Sequence, residues 1–265
     1  MAIRNFASWL GAAALVAAVV AAAASARAGE TAKRPVVVEL YTSQGCSSCP
    51  PADALLGTLA KQPGVLAISL PVTYWDMLGW KDTLASEANT RRQKAYARIM
   101  GHGGIYTPEM IVDGVDDVVG SRTQQVKAAI AARAQDMPVL PVSLTPDRRT
   151  VRVSIAAAPV AGLDKDDLGK WGTPNATIWV FQLLNQATVN IGAGENSGRK
   201  VTYHNVVRAL RAVGMWKGQA VSFELPRHDP SDPPHDGLAV VVQQGGYGRV
   251  LGAARIARPD YSPSR

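Results

Sequence analysis

The sequence predicts an α/β chain in two parts: a mixed sheet flanked by helices, then a β-rich, sandwich-like half. Three observations carry that reading. The β-branched run Val36 to Val38 leads through Cys46-Ser-Ser-Cys49 into the apolar-periodic segment Ala54 to Ala60, which reads as strand, tight turn and helix. From there to Ala134, strand-like and helix-like segments alternate. After Pro138 to Pro141 the pattern changes to about seven short strands separated by turn residues.

In the first strand, Val36 to Leu40 is nearly all apolar, as expected of a strand covered on both faces. Glu39 interrupts it. Burying a carboxylate is costly unless it is paired or protonated. Two readings follow: an edge strand with Glu39 in water, or a general base beneath the cysteine pair.

The segment after the pair begins with Pro50 and Pro51, which lack the N–H and are tolerated only in a helix's first turn. That spacing predicts a cap at Ser47 or Ser48, with Cys49 just inside the helix and Cys46 in the turn before it. Cys46 is then the exposed sulfur, near the positive end of the helix dipole, and Cys49 the inner, resolving one. Leu55, Leu56 and Leu59 form the apolar stripe, and Pro63-Gly64 ends the helix.

Val65 to Leu70 reads as a second buried strand. The loop Pro71 to Lys81 concentrates Tyr74, Trp75 and Trp80, which either line a groove by the cysteine turn or bury locally. Ser86 to Met100 is a helix capped by Ser86. Thr107-Pro108 directly precedes the strand Glu109 to Val112, where a proline at the first position is permitted. Asp113-Gly114 signals a hairpin to Val115 to Val119, and Ser121 is positioned to cap a helix over Gln124 to Ala134.

In the second half, strands are expected at Val139 to Leu144, Thr150 to Ala156, Ala176 to Leu184, Ala187 to Ile191, Ala220 to Glu224, Leu238 to Gln243 and Val250 to Ile256. Asn205 to Val213 reads as one short helix. Within the polar run Glu195 to Arg208, the residues Glu195, Arg199, Tyr203, His204 and Arg208 read either as a contact for an anionic or peptide group or as a loop edge tied by salt bridges.

Bulk properties exclude several function classes. The net charge of +7 is scattered, with no basic run interleaved with aromatics, so no nucleic-acid groove is expected. Four histidines lack zinc-ligand spacing, so no metal is assigned, and no phosphate loop or serine-nucleophile motif points to a cofactor. At the start, Arg4, the small-apolar run Leu10 to Ala24 and Ala26-Arg27-Ala28 fit a cleavable leader over 1–28. The mature chain is expected to start near Gly29 and to be periplasmic or secreted, with no membrane span. The expected division is a first domain over 29–137 and a β-rich domain over 138–265. In an oxidising compartment the pair of cysteines can form a disulfide, yet a bridge over two residues adds little stability through loop closure. A chemical role is the better reading.

The element order, the Cys46-Ser-Ser-Cys49 pair after the first strand, and the Thr107-Pro108 before the third resemble the thioredoxin fold. That resemblance implies a cis Pro108 beside the cysteine pair, with Thr107 presenting backbone to an extended substrate. The chain departs from the fold's usual Trp-Cys-Gly-Pro-Cys context, because its prolines follow the second cysteine. Over most of the mature chain, VELYTSQGCSSCPPADALL, VTYWDMLGWKD, YTPEMIVDG and GENSGRKVTYHNVVR are similar to a secreted bacterial thioredoxin-like family labelled domain of unknown function 1223.

The leading expectation is thiol–disulfide exchange with protein or peptide thiols and a separate redox partner. Catalysis falls to Cys46, Cys49 and Glu39, and substrate contact to Thr107, Pro108, Tyr74 and Trp75. The alternatives are a Cu(I)-binding module using the two thiolates with Met77 or Met110, and a peptide binder whose disulfide stays closed.

Overall fold

The computed structural model describes residues 34–135, 140–157, 175–227, 232–257 and 260–261; the leader expected over 1–28 and the boundary residue 138 lie outside them. Its centre is β1 (Val36–Thr42), every residue of which is buried. β1 pairs in parallel with β2 (Val65–Pro71) and antiparallel with β3 (Glu109–Val112), which turns back into β4 (Asp116–Val119). Asp113 and Gly114 at that turn both have positive φ, 51° and 73°, as the Asp-Gly pair predicts. A Cβ on Gly114 would also stand 2.0 Å from the Gly248 carbonyl oxygen, so the position admits only glycine.

Strand alternation divides β1 between two layers. Val36, Val38 and Leu40 pack with α1 (Pro50–Leu59) and α3 (Thr123–Arg133), through Leu56, Leu59, Val126 and Ile130. Val37, Glu39 and Tyr41 face α2 (Glu87–Met100), whose first turn is capped by Ser86 Oγ accepting from the Asn89 N–H. At α3 the cap position falls on Arg122 instead of the expected Ser121, and no side chain caps it.

The second half continues this sheet. β7 (Ala176–Asn190), β8 (Lys200–Trp216), β10 (Gly237–Gln244) and β11 (Val250–Ala257) complete eight strands in the order β11-β10-β7-β8-β2-β1-β3-β4. The junction is the parallel pairing of Ser69 with Val206, reinforced by Asn205 Nδ2 donating to the Ala67 carbonyl at 2.7 Å. β5 (Val142–Pro146), β6 (Thr150–Ile155) and β9 (Val221–Pro226) form a separate three-stranded sheet. Val151, Val153 and Ile155 of that sheet share a core with Ile178, Val180, Leu238 and Val240, giving the β-rich half its two-layer, sandwich-like packing.

The large sheet curls on itself. The Val250 N–H, at the start of β11, donates to the Asp113 carbonyl at the β3–β4 turn, 2.9 Å away. Tyr96 of α2 therefore shares one core with residues of both ends of the sheet, among them Ile111, Trp179 and Ala239.

Two expectations fail here. Asn205 to Val213 is strand, because pairing with β7 along Leu184 to Trp179 outweighs the helix-favouring Ala, Leu and Arg content. Asn205 itself sits at a break in that ladder with φ of 49°, its side chain bonding to β2. The strands expected at Ala176 to Leu184 and Ala187 to Ile191 are one continuous strand, β7.

Candidate redox site

Cys46 and Cys49 are joined in a disulfide with their Cα atoms 5.4 Å apart, within the range such a bridge requires. Cys49 is the N-cap of α1 and Pro50 and Pro51 fill its first two positions. The cap thus lies beyond Ser47 and Ser48, where it was expected, since both serines belong to the turn preceding it. Ser48 Oγ lies 3.4 Å from Cys46 Sγ.

The expectation that Cys46 is the exposed sulfur is corrected by its surroundings. Cys46 and Cys49 are both fully buried, and only Ser47 and Ser48 face solvent. The cover comes from the β7–β8 connection. Asn196, 1% exposed, donates through Nδ2 to the carbonyls of Gln44 at 3.0 Å and Cys46 at 2.8 Å. Glu195 Oε2 accepts from the Ser47 N–H at 3.3 Å. Gln44 is held from the other side, its N–H donating to Asp82 Oδ2 and its Oε1 accepting from Trp80 Nε1, both at 2.8 Å. Trp80 also packs under Gly192 and Gly194 of the covering loop. The polar run from Glu195 was visible in the sequence, but its partner was not, because some 150 residues separate Asn196 from Cys46.

Glu39 does not lie beneath the pair. It is on the α2 face of β1, whereas α1 packs on the other. Its two oxygens accept from Arg92 Nε and Nη2 at 2.6 and 2.7 Å, from Tyr96 Oη at 2.7 Å and from Tyr41 Oη at 3.1 Å. Arg92 is itself fully buried among the rings of Trp179, Phe181 and Tyr247. The carboxylate is saturated with donors, and the arrangement is a structural ion pair within the first half, against which Gln243 and the rings of the second half pack.

The acid on the cysteine side is Asp53. It lies one helical turn beyond Cys49, its N–H bonding to the Cys49 carbonyl. Asp53 is 3% exposed and its Oδ1 accepts from Thr42 Oγ1 at 2.9 Å. Burial pushes its pKa from the ordinary carboxylate range up to about 8, opposed by the Thr42 bond and aided by the negative charge of Asp82. A group poised near neutrality can hold or release a proton where thiols change state. The i, i+4 spacing from Cys49 was the available sequence signal.

Thr107-Pro108 is cis, as the resemblance implied. Two contacts tie it to the cysteine turn and to α1. Trp75 Nε1 donates to Thr107 Oγ1 at 2.9 Å, and the Trp75 backbone and Cβ lie against Gly45. On the other side the Gly120 N–H donates to the Pro108 carbonyl, and Gly120 lies against Ala52 of α1. Tyr74 stands next to Trp75, both half-buried on the α2-side core, and burial pushes the Tyr74 hydroxyl up to about 12. The structure therefore brings Cys46, Cys49, Thr107, Pro108 and Trp75 into one neighbourhood and sets Glu39 on the far side of the sheet.

Of the methionines considered as soft ligands, Met110 is fully buried between Leu40 and α1, while Met77 is 84% exposed on a short 3₁₀ turn, Asp76–Leu78. A separate cluster, His102, Glu109 and Asp117, places three ligand atoms within 4.8 Å of one another. Among the described residues, no helix is long and apolar enough to cross a membrane.

Comparison with known proteins agrees with this architecture. The family model described as protein of unknown function (DUF1223) matches residues 37–243. A crystal structure of a protein from Agrobacterium tumefaciens is similar over 87% of this chain and 96% of its own, with 31% identity and a TM-score of 0.71. HBP35 of Porphyromonas gingivalis, 13% identical, shares the fold with a TM-score of 0.50 over 85% of this chain and 75% of its own. A curated "Probable Thioredoxin" of Archaeoglobus fulgidus is 49% identical over 37 residues, 14% of this chain; the match spans 41% of that relative's length.

Proposed function

This chain belongs to the DUF1223 family, proteins of unknown function, and from its site we propose that it is an exported thiol–disulfide oxidoreductase acting on protein or peptide thiols. The observation that carries the reading is the Cys46–Cys49 disulfide at the mouth of α1 with a cis Thr107–Pro108 in its neighbourhood. A short likeness to a thioredoxin points the same way.

In the proposed exchange a substrate thiolate attacks Cys46 Sγ. The Cys46–Cys49 bond breaks, a mixed disulfide forms, and Cys49 departs as a thiolate that takes a proton from Asp53. A second substrate thiol then displaces Cys46, so two substrate thiols become a disulfide and the protein pair is reduced. The reverse sequence reduces a substrate disulfide, with Asp53 receiving the Cys49 proton. Attack needs a line of approach to Cys46, so the Glu195–Asn196 loop must open first. Thr107 and Pro108 are assigned to binding the extended substrate, with Trp75 and Tyr74 as the wall behind them.

Thiol trapping under a glutathione gradient tests this reading. The wild-type pair is expected to cycle, and Cys49→Ala to accumulate a mixed disulfide through Cys46. A pair that never cycles, together with a variant that captures nothing, overturns it. The complete burial of both cysteines favours a second reading, a peptide binder whose disulfide stays closed. A very low reduction potential, with peptide binding undisturbed by Cys46→Ala, supports that one.

A further inference from the structure

We infer that this chain binds one divalent cation of the zinc class through His102 Nδ1, Asp117 and Glu109, on the side of the sheet away from the disulfide helix. His102 lies just after α2, Glu109 opens β3 directly after cis Pro108, and Asp117 is on β4. Their sequence spacing follows no zinc motif; the β3–β4 hairpin and the glycine-flanked end of α2 bring them together.

Four observations support the site. First, the distances fit: ligand atoms each about 2.1 Å from one tetrahedral ion stand about 3.4 Å apart. His102 Nδ1 and Asp117 Oδ2 are 3.2 Å apart, and all three ligand atoms fall within 4.8 Å.

Second, each carboxylate is already oriented by an outer partner acting on one oxygen only. Tyr106 Oη donates to Asp117 Oδ1 and Gln93 Nε2 to Glu109 Oε2, both at 2.5 Å. Such outer hydrogen bonds are what fix metal-binding carboxylates, and here they leave Asp117 Oδ2 and Glu109 Oε1 for the ion.

Third, Glu109 is fully buried and its Oε1 has no hydrogen-bond partner among the described residues. The charged groups that act on it most are Asp117 and Glu39, both acids. A buried carboxylate beside other carboxylates is costly without a counter-charge, which a cation supplies.

Fourth, there is an entrance. His102 is exposed, and an open cleft lined by Met100, His102, Val115 and Asp117 opens two of the three ligands to solvent, with Glu109 buried behind them. Three protein ligands leave a fourth position for water, and imidazole in the set selects against magnesium and calcium. The ion would tie the end of α2 to the hairpin that follows Pro108.

The test uses tag-free, fully oxidised protein, so that Cys46 and Cys49 cannot compete for metal. Titration calorimetry with Zn²⁺ is expected to show one site, and Co²⁺ to give a ligand-field absorption spectrum. His102→Ala and Asp117→Asn are each expected to weaken binding by more than about a hundredfold, beyond what loss of an outer-shell partner causes. The Cys46→Ser/Cys49→Ser variant is expected to bind unchanged. His102→Ala lies in an exposed turn, and circular dichroism checks that both single variants are folded. Absence of saturable binding overturns the inference, leaving His102 and Asp117 as a plain ion pair. So does binding that survives both single variants, or that disappears with the cysteines.

Discussion

Asp53→Asn asks whether the buried acid is held protonated at neutral pH. In the folded protein burial carries its pKa to about 8, whereas an unfolded chain returns it to the ordinary carboxylate value of 3.8. Between those limits the folded state holds one more proton than the unfolded state. Stability therefore falls as pH rises, by about 1.4 kcal/mol per unit. The loss is absent below about pH 4, amounts to about 4 kcal/mol at pH 7, and is complete only above about pH 8. Asparagine keeps the shape, accepts the Thr42 hydroxyl bond and does not titrate. Its amide replaces Oδ2, which has no hydrogen-bond partner among the described residues, so an offset of about 1–3 kcal/mol against the variant is expected at every pH. The informative quantity is accordingly the slope.

Urea unfolding of the oxidised proteins measures it. The variant's stability relative to wild type is expected to improve by about 3 kcal/mol between about pH 5 and about pH 7, and to level off above about pH 8. Curves that run parallel across this range would mean that Asp53 ionises normally in the folded state. The assignment of Asp53 as the proton store for Cys49 would then fail.

Other perturbations probe separate parts of the molecule. Asn196→Ala removes both bonds to the Gln44 and Cys46 carbonyls; it is expected to destabilise by about 1–3 kcal/mol and to speed reduction of the disulfide by dithiothreitol, followed by thiol labelling. Unchanged reduction kinetics would show that the covering loop does not limit access. Arg92→Met strands Glu39 without its ion-pair partner and is expected to cost about 3–5 kcal/mol in urea unfolding; pairing it with Glu39→Leu should recover most of that loss. If the double variant is no better than the single, the pair's worth lies elsewhere. Gly114→Ala meets both the positive φ and the Gly248 carbonyl, so a loss of more than about 1 kcal/mol is expected from thermal or urea unfolding. For export, mass spectrometry of protein from the periplasmic fraction is expected to find a chain beginning near Gly29.

How far the sequence reveals this protein depends on whether a contact is local. Val36 to Val38, the cysteine turn and Pro50-Pro51 specify strand, turn and helix through residues within a few positions of one another. Asp113-Gly114 marks its own hairpin by the same short-range physics, and Ser86 its own cap. Asn205 to Val213 shows the opposite case. Its residues favour a helix, and pairing with β7 makes it strand, because a ladder of hydrogen bonds and buried side chains outweighs propensity differences of under about 1 kcal/mol per residue. The cysteine pair and its seat before a helix were legible in the chain, and the cis Pro108 followed from the resemblance.

Tertiary structure alone decided three things. Alternation along β1 makes Glu39 and the residues that pack on α1 face opposite ways, but only the packing of α1 and α2 says which side the disulfide is on. That choice gives Glu39 to Arg92 and leaves Asp53 near Cys49. The parallel pairing of β8 with β2 brings the β7–β8 loop over Cys46, so the sulfur that helix geometry places outermost is covered by residues from the other half. The gathering of His102, Glu109 and Asp117 depends on how the end of α2 packs beside the β3–β4 hairpin. Sequence patterns record which side chains share a face, whereas which faces meet is settled by how the whole sheet closes on its core.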